Sequence, residues 1–198
     1  EEDFRYPGPR PQSIESAIDH ALRIVAQGGA IRKLTFGIDP GPRPGLAWVG
    51  DGRVLGTNQS DSVDSTIDQI CSLTADIEHV EMTVRIGDGS PTISNRLANI
   101  CLARGISVER VDERRTSEGL HRHQHHASAI RIASIEGQPI LSKQPVTPTA
   151  GEVKEIQRFS RLQSGGRVTI SKRLAQAVAV GRLSMEEAIC RQLERPAY

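Results

Sequence analysis

Three acidic signals in this sequence stand directly behind short apolar, alternating segments. Asp39 closes Leu34-Thr35-Phe36-Gly37-Ile38, Asp88 lies in Gly87-Asp88-Gly89 behind a run ending at Ile86, and Asp112-Glu113 follows Ile106 to Val111. Alternation of that kind predicts strands, and ligands of open α/β sheets collect beyond the carboxyl ends of strands. Carboxylates gathered at one such edge supply the hard oxygen donors that a divalent cation needs for phosphoryl transfer. Two ions about 3.5 to 4 Å apart would activate an attacking water and neutralise the leaving oxygen. Each residue also has a plain role, since an aspartate between two glycines is a good turn former. The coincidence of all three at strand ends is what points to a site.

The elements that must position these residues follow from periodicity. Ile14, Ile18, Leu22 and Val25 have helical spacing, with Ser13 as N-cap and Gly28-Gly29 as stop. The strand ending at Asp39 runs into Pro40-Gly41-Pro42-Arg43-Pro44-Gly45, and Leu46–Val49 and Arg53–Thr57 form two more strands joined by Gly50-Asp51-Gly52, a hairpin signal. A helix over 62–77 uses Val63, Ile67, Ile70, Thr74 and Ile77. The next strand turns Val80, Met82, Val84 and Ile86 inward. Ser90-Pro91 supplies an N-cap and first-turn proline for a helix carrying Ile93, Leu97, Ile100 and Cys101, closed by Gly105. A fifth strand and a helix over 117–135 complete the order βββαβαβα. That order predicts an α/β fold whose mixed five-stranded sheet opens with a meander and continues through helical crossovers.

The organisation expected is an accessory N-terminal helix over 1–32, the α/β domain over 33–136, an unperiodic proline-containing linker over 137–150 and a helical appendage over 151–198. In the appendage Val153, Ile156, Phe159 and Leu162 suggest one helix, residues 171–180 a second, and Ser184 with Glu187 a capping box that opens a third, with Met185, Ala188, Ile189 and Leu193 inward.

Gly37-Ile38-Asp39-Pro40-Gly41, followed by Gly45-Leu46-Ala47, resembles the first strand and turn of RuvC-type Holliday junction resolvases and the related YqgF-type nucleases. Val111-Asp112-Glu113-Arg114-Arg115-Thr116-Ser117 resembles the Asp-Glu-Arg motif on the fifth strand of the YqgF group. The resemblance covers residues 33–136 and is nearest to archaeal members of the superfamily. It implies a ribonuclease H-like fold and a Mg2+ or Mn2+ nuclease with Asp39 as metal ligand and Asp112 and Glu113 in the active site. Two departures stand out. Asp88 lies where RuvC-type enzymes place a glutamate earlier and YqgF-type enzymes have a Gly-Leu-Pro turn. His125-His126 replaces the aspartate of the last helix, and His126 shares a helical face with Ala129, Ile130 and Ala133. Imidazole favours manganese or zinc-like ions over magnesium. The expected metal set is thus Asp39, Asp88, Glu113 and His126, with Asp112 as a further catalytic residue. The alternative is a ribonuclease H-like binding or scaffold protein whose catalysis is impaired by the lost carboxylate. Actin-like ATPases open with a similar strand and turn, but they close two such lobes around a nucleotide and this chain has residues for one.

The formal net charge of +1 conceals an asymmetry: residues 1–105 carry 10 basic and 14 acidic side chains, residues 106–198 carry 15 and 10. Between Val153 and Arg182 stand Lys154, Arg158, Arg161, Arg167, Lys172, Arg173 and Arg182 against Glu155 alone. Such a density attracts a polyanion, although a solvated helix face or a dimer-forming tail accounts for the same residues. Arg114, Arg115 and Arg122 are expected to join the basic tail on nucleic acid. Aromatic residues make up 3% of the chain, too few to stack single strands, so structured or double-stranded DNA or RNA is the expected partner. His121 and His125 fall at i and i+4 without a third ligand at zinc spacing, and phosphate contact explains that turn as well.

No stretch approaches the roughly 18 apolar residues needed to cross a bilayer. The first residues, Glu1-Glu2-Asp3-Phe4-Arg5-Tyr6-Pro7, lack the basic start and apolar run of a secretion signal, so the expected location is cytoplasmic. Cys71, Cys101 and Cys190 match no metal or redox spacing and are expected as reduced core residues.

Overall fold

A computed structural model describes residue 18, residues 30–112 and residues 125–194; for His125 the description is limited to the backbone. The sequence expectations over 1–32 and 113–124 lie almost wholly outside these residues. β1 (Ile31–Asp39), β2 (Gly45–Gly50) and β3 (Arg53–Gln59) form an antiparallel meander. The β2–β3 turn has Asp51 at φ 47° and Gly52 at φ 80°, the two positive values that match a tight turn to the strand twist. The Asp51 carboxylate accepts the N–H of Lys33 at 2.9 Å and of Arg32 at 3.1 Å, tying the turn to the start of β1.

After α1 (Val63–Asp76) the chain returns as β4 (His79–Gly87), parallel to β1. After α2 (Pro91–Ala103) it returns as β5 (Val108–Val111), parallel to β4. α3 (His125–Ser134) follows, and β6 (Gln138–Pro139) adds a short antiparallel edge to β5. The sheet is mixed, six strands wide, in the order β3-β2-β1-β4-β5-β6. The five expected strands are present, and β6 extends them.

The two sheet faces are packed differently. Leu34, Phe36 and Ile38 of β1 lie in register beside Trp48 and Leu46 of β2 and Val84 and Ile86 of β4, and they bury against Ile67 and Ile70 of α1 and Ile93 and Leu97 of α2. Each fully buried side chain of this size contributes about 1.5–3 kcal/mol. The other face, where Thr35, Gly37 and Asp39 alternate with that apolar set, receives α3. A Cβ at Gly37 would collide with the Ala129 carbonyl and with Ala133, so the glycine is what lets the helix lie directly on the strand. Arg85, buried at 4% exposure on this same face, holds the helix by polar contacts. Its Nε donates to Glu109 Oε2 at 2.8 Å and its Nη1 to the Ala133 carbonyl at 2.7 Å, while Glu109 also accepts the Gly137 N–H.

The segment from Ile140 to Thr149 is extended and pinned along α2. Asn99 and Gln144 exchange two hydrogen bonds, Asn95 donates to the Pro145 carbonyl and Thr92 to the Thr147 carbonyl. α4 (Ala150–Gln163), α5 (Lys172–Ala179) and α6 (Met185–Leu193) then bury Val153, Ile156, Ile170, Leu174, Ala175, Ala179 and Ala188 in a second, smaller core. The expected Ser184–Glu187 capping box is present, and Thr149 with Glu152 forms another at the start of α4.

Glu152 also joins the two cores. Its carboxylate, itself buried, accepts from Ser90 Oγ and the Thr92 N–H at 2.8 Å and from Thr92 Oγ1 at 2.7 Å. Burial pushes this carboxyl up, but the hydrogen bonds from Thr149, Thr92 and Ser90 outweigh it and leave the group below its ordinary value. Ser90 occupies the N-cap position of α2 but makes no capping bond of its own; the cap is Glu152, supplied from the bundle.

Five inward positions expected from the sequence are corrected. Val80 is 72% exposed, because β5 begins only opposite Val84 and leaves the start of β4 uncovered. Leu162 and Leu193 lie near helix ends and are exposed, beyond the reach of the small bundle core. Of the cysteines only Cys101 is buried, whereas Cys71 and Cys190 are exposed; all three are free. Among the described residues no helix is long and apolar enough to cross a membrane.

Candidate functional site

The parallel strands β1, β4 and β5 end side by side, and their register fixes the relative heights of the acidic residues. Ile38 pairs with Ile86 and Gly87 with Val111, so Asp39 stands level with Gly87, and Asp88 with Asp112 one step further out. Asp39 and Asp88 are partly buried and Asp112 is exposed. The three aspartates expected from the sequence are thus neighbours along one sheet edge.

Among the described residues, the cleft that two of them line does not include the third. Asp88 and Asp112 line an open cleft of about 490 Å3 together with Arg110, Ile135, Glu136, Gly137 and Gln138, and Asp39 is not among its walls. Strand alternation explains the division. Asp39 belongs to the α3 face with Gly37, whereas Arg110, in register with Ile86, reaches the α2 face and donates to Ser94 Oγ at 3.1 Å and Asn95 Oδ1 at 2.7 Å. Burial lowers the Arg110 guanidinium from its usual value, and the charge of Asp88 partly offsets that, which places the two within electrostatic reach. Ser94 Oγ in turn donates to the Gly87 carbonyl, fixing the tip of β4.

His126 lies in the first turn of α3 and is exposed. The helix has its last turn over β4, where Arg85 donates to the Ala133 carbonyl, and its middle over Gly37 of β1, and it also touches β2 and β3. It therefore crosses the strands, and His126 lies on the side of Gly37 away from the Asp88–Asp112 cleft. Glu113, Arg114, Arg115 and Arg122, with His121 and His123, lie outside the described residues. Among the described residues no group of three or more His, Cys, Asp or Glu is arranged to hold a metal ion. The donor set expected for Mg2+ or Mn2+ is therefore not formed by Asp39, Asp88 and His126 alone. Among the described residues the cleft offers an anion and cation mixture, with Asp88, Asp112 and Glu136 around Arg110.

On the bundle, Lys154, Arg158 and Arg161 follow one exposed stripe of α4, Arg167 is exposed in the turn behind it, and Lys172 and Arg173 are exposed at the start of α5. Sequence reasoning did not single out Arg110 and Glu136. Alternation places Arg110 beside Ile86, but its hydrogen bonds to α2 and the return of Glu136 to the cleft depend on tertiary pairing. Residues 149–194 match a family described as a three helical bundle domain, the span of α4 to α6 with the cap Thr149. No curated protein matches the chain.

Proposed function

We propose that this chain is a ribonuclease H-like protein that acts on structured nucleic acid, with the acidic edge of the sheet turned to the phosphodiester and the basic bundle holding the backbone. The observation that carries the reading is the placement of Asp39, Asp88 and Asp112 at the carboxyl tips of three adjacent parallel strands, where open α/β sheets take their ligands. The βββαβαβ order, meander first and crossovers after, is the order the resemblance implies and adds support. The activity that follows is hydrolysis of a phosphodiester with Mg2+ or Mn2+. It needs a donor beyond Asp39, Asp88 and His126, and Glu113 is the residue the Asp-Glu-Arg motif assigns to that part.

A second reading, a nucleic-acid-binding scaffold without catalysis, is favoured by one specific observation: the exposed His126 where the resemblance places a carboxylate. The test is cleavage of labelled four-way junction DNA, duplex DNA and structured RNA with Mg2+ and with Mn2+ by the native chain and by Asp39→Asn. Cleavage by the native chain that the variant loses supports hydrolysis at this edge. Activity untouched by the substitution rejects Asp39 as part of the site, and salt-sensitive binding without cleavage supports the scaffold.

A further inference from the structure

The basic residues of the bundle are not equivalent. Lys154, Arg158 and Arg161 are exposed along α4, where Glu155 stands among them. Elsewhere, three guanidiniums from three separate places in the chain meet on one concave surface: Arg173 from the first turn of α5, Arg182 from the turn behind it and Arg191 from the last turn of α6. With Pro148, Leu174, Ala177 and Leu183 they line a groove of about 810 Å3, in which Glu194 is the one carboxylate among the described residues. All three arginines are exposed, and none makes an ion pair with a described residue.

We propose that this groove is the site at which the bundle binds the sugar–phosphate backbone of a nucleic acid duplex, a proposal that rests on the nucleic-acid reading above. Guanidinium presents a planar fork of donors that matches a phosphate in two-point contact. Three forks against Glu194 make a local excess of positive charge among the described residues that a polyanion neutralises with release of its counterions. Leu174, Ala177 and Leu183 offer apolar surface to sugar edges, and among the described residues the lining has no aromatic side chain on which an unpaired base would stack. Binding here reads no sequence, because phosphate contacts position without specifying. The groove also keeps a fixed relation to the sheet: Gly181, next to Arg182, lies against the Arg96 side chain of α2, and Pro148 ends the strap pinned along that helix.

The test compares two triple variants of the full chain by fluorescence anisotropy with a short labelled DNA duplex and the equivalent RNA duplex across a salt series. One is Arg173→Gln/Arg182→Gln/Arg191→Gln, the other Lys154→Gln/Arg158→Gln/Arg161→Gln; all six positions are exposed, and circular dichroism verifies that both variants fold. The groove variant is expected to lose more than about tenfold in affinity at low salt, with the slope of log K against log salt shallower by about 2.7, or 0.9 per lost phosphate contact. The α4 variant is expected to lose less of both, with a slope change below half that of the groove variant. The opposite pattern overturns the groove while leaving the nucleic-acid reading intact. Absence of duplex binding by the native chain overturns both, and saturable binding of an acidic peptide instead makes the groove a protein-docking surface.

Discussion

The two faces of the central sheet bury comparable lengths of β1 and β4 by different means. Against α1 and α2 the contact is made by volume: branched and aromatic side chains interlock, and the loss of one methyl leaves a small cavity that neighbours partly fill. Against α3 the contact is made by closeness and polarity: Gly37 admits the helix backbone, and the Arg85–Glu109 pair fixes where it lies. The first kind of packing degrades gradually and the second fails at single positions. Asp39 belongs to the second face, so the residue on which the proposed chemistry is centred depends on the less tolerant of the two.

The largest effect is expected at Gly37. Gly37→Val drives a branched side chain into Ala129 and Ala133, which cannot yield without lifting α3. We expect a loss of about 3 kcal/mol or more, read as a lowered urea midpoint or as failure to fold. Wild-type stability in this variant would mean that α3 does not rest on β1. Next is Arg85→Met, which leaves the Glu109 carboxylate and the Ala133 carbonyl without the guanidinium and costs about 3 kcal/mol in equilibrium unfolding. Ile67→Val on the opposite face is the control, expected near 1 kcal/mol; equal losses in the two variants would erase the contrast between the faces.

A smaller effect, with a pH signature, is expected at the junction of the sheet with the bundle. Glu152→Gln replaces an acceptor by an amide donor facing Thr92 and Thr149, at a cost of about 2 kcal/mol near neutral pH. The folded-state carboxyl titrates below its ordinary 4.5, so its contribution is present above that value and is lost as pH falls through the lower, folded-state value. Native and variant stabilities should therefore converge in acid, and a difference independent of pH would show that the ionised carboxylate is not what holds α2 to α4.

The strands were legible because each alternates over an apolar face, and the hairpin because Gly50-Asp51-Gly52 demands positive φ. The Ser184–Glu187 capping box was legible for the same local reason. What was not legible depends on partners distant in sequence. The cap of α2 comes from Glu152, about sixty residues away, and the exposure of Val80 depends on where β5 starts. At the site, alternation and motif placed Asp39, Asp88 and Asp112 at neighbouring strand tips. The separation of Asp39 from the Asp88–Asp112 cleft followed only from the register of β4 with β5 and from the return of residues 135–138 along the edge. The convergence of Arg173, Arg182 and Arg191 is of the same kind, since charge density along the sequence names the basic tail but not the concave side of it.

The most direct measurement of the central claim is the affinity of the native chain for a labelled four-way DNA junction as a function of salt. The account predicts saturable binding that weakens log-linearly as salt rises, through contacts of the basic bundle with phosphate. Binding that is absent at low salt, or indifferent to salt, would contradict it.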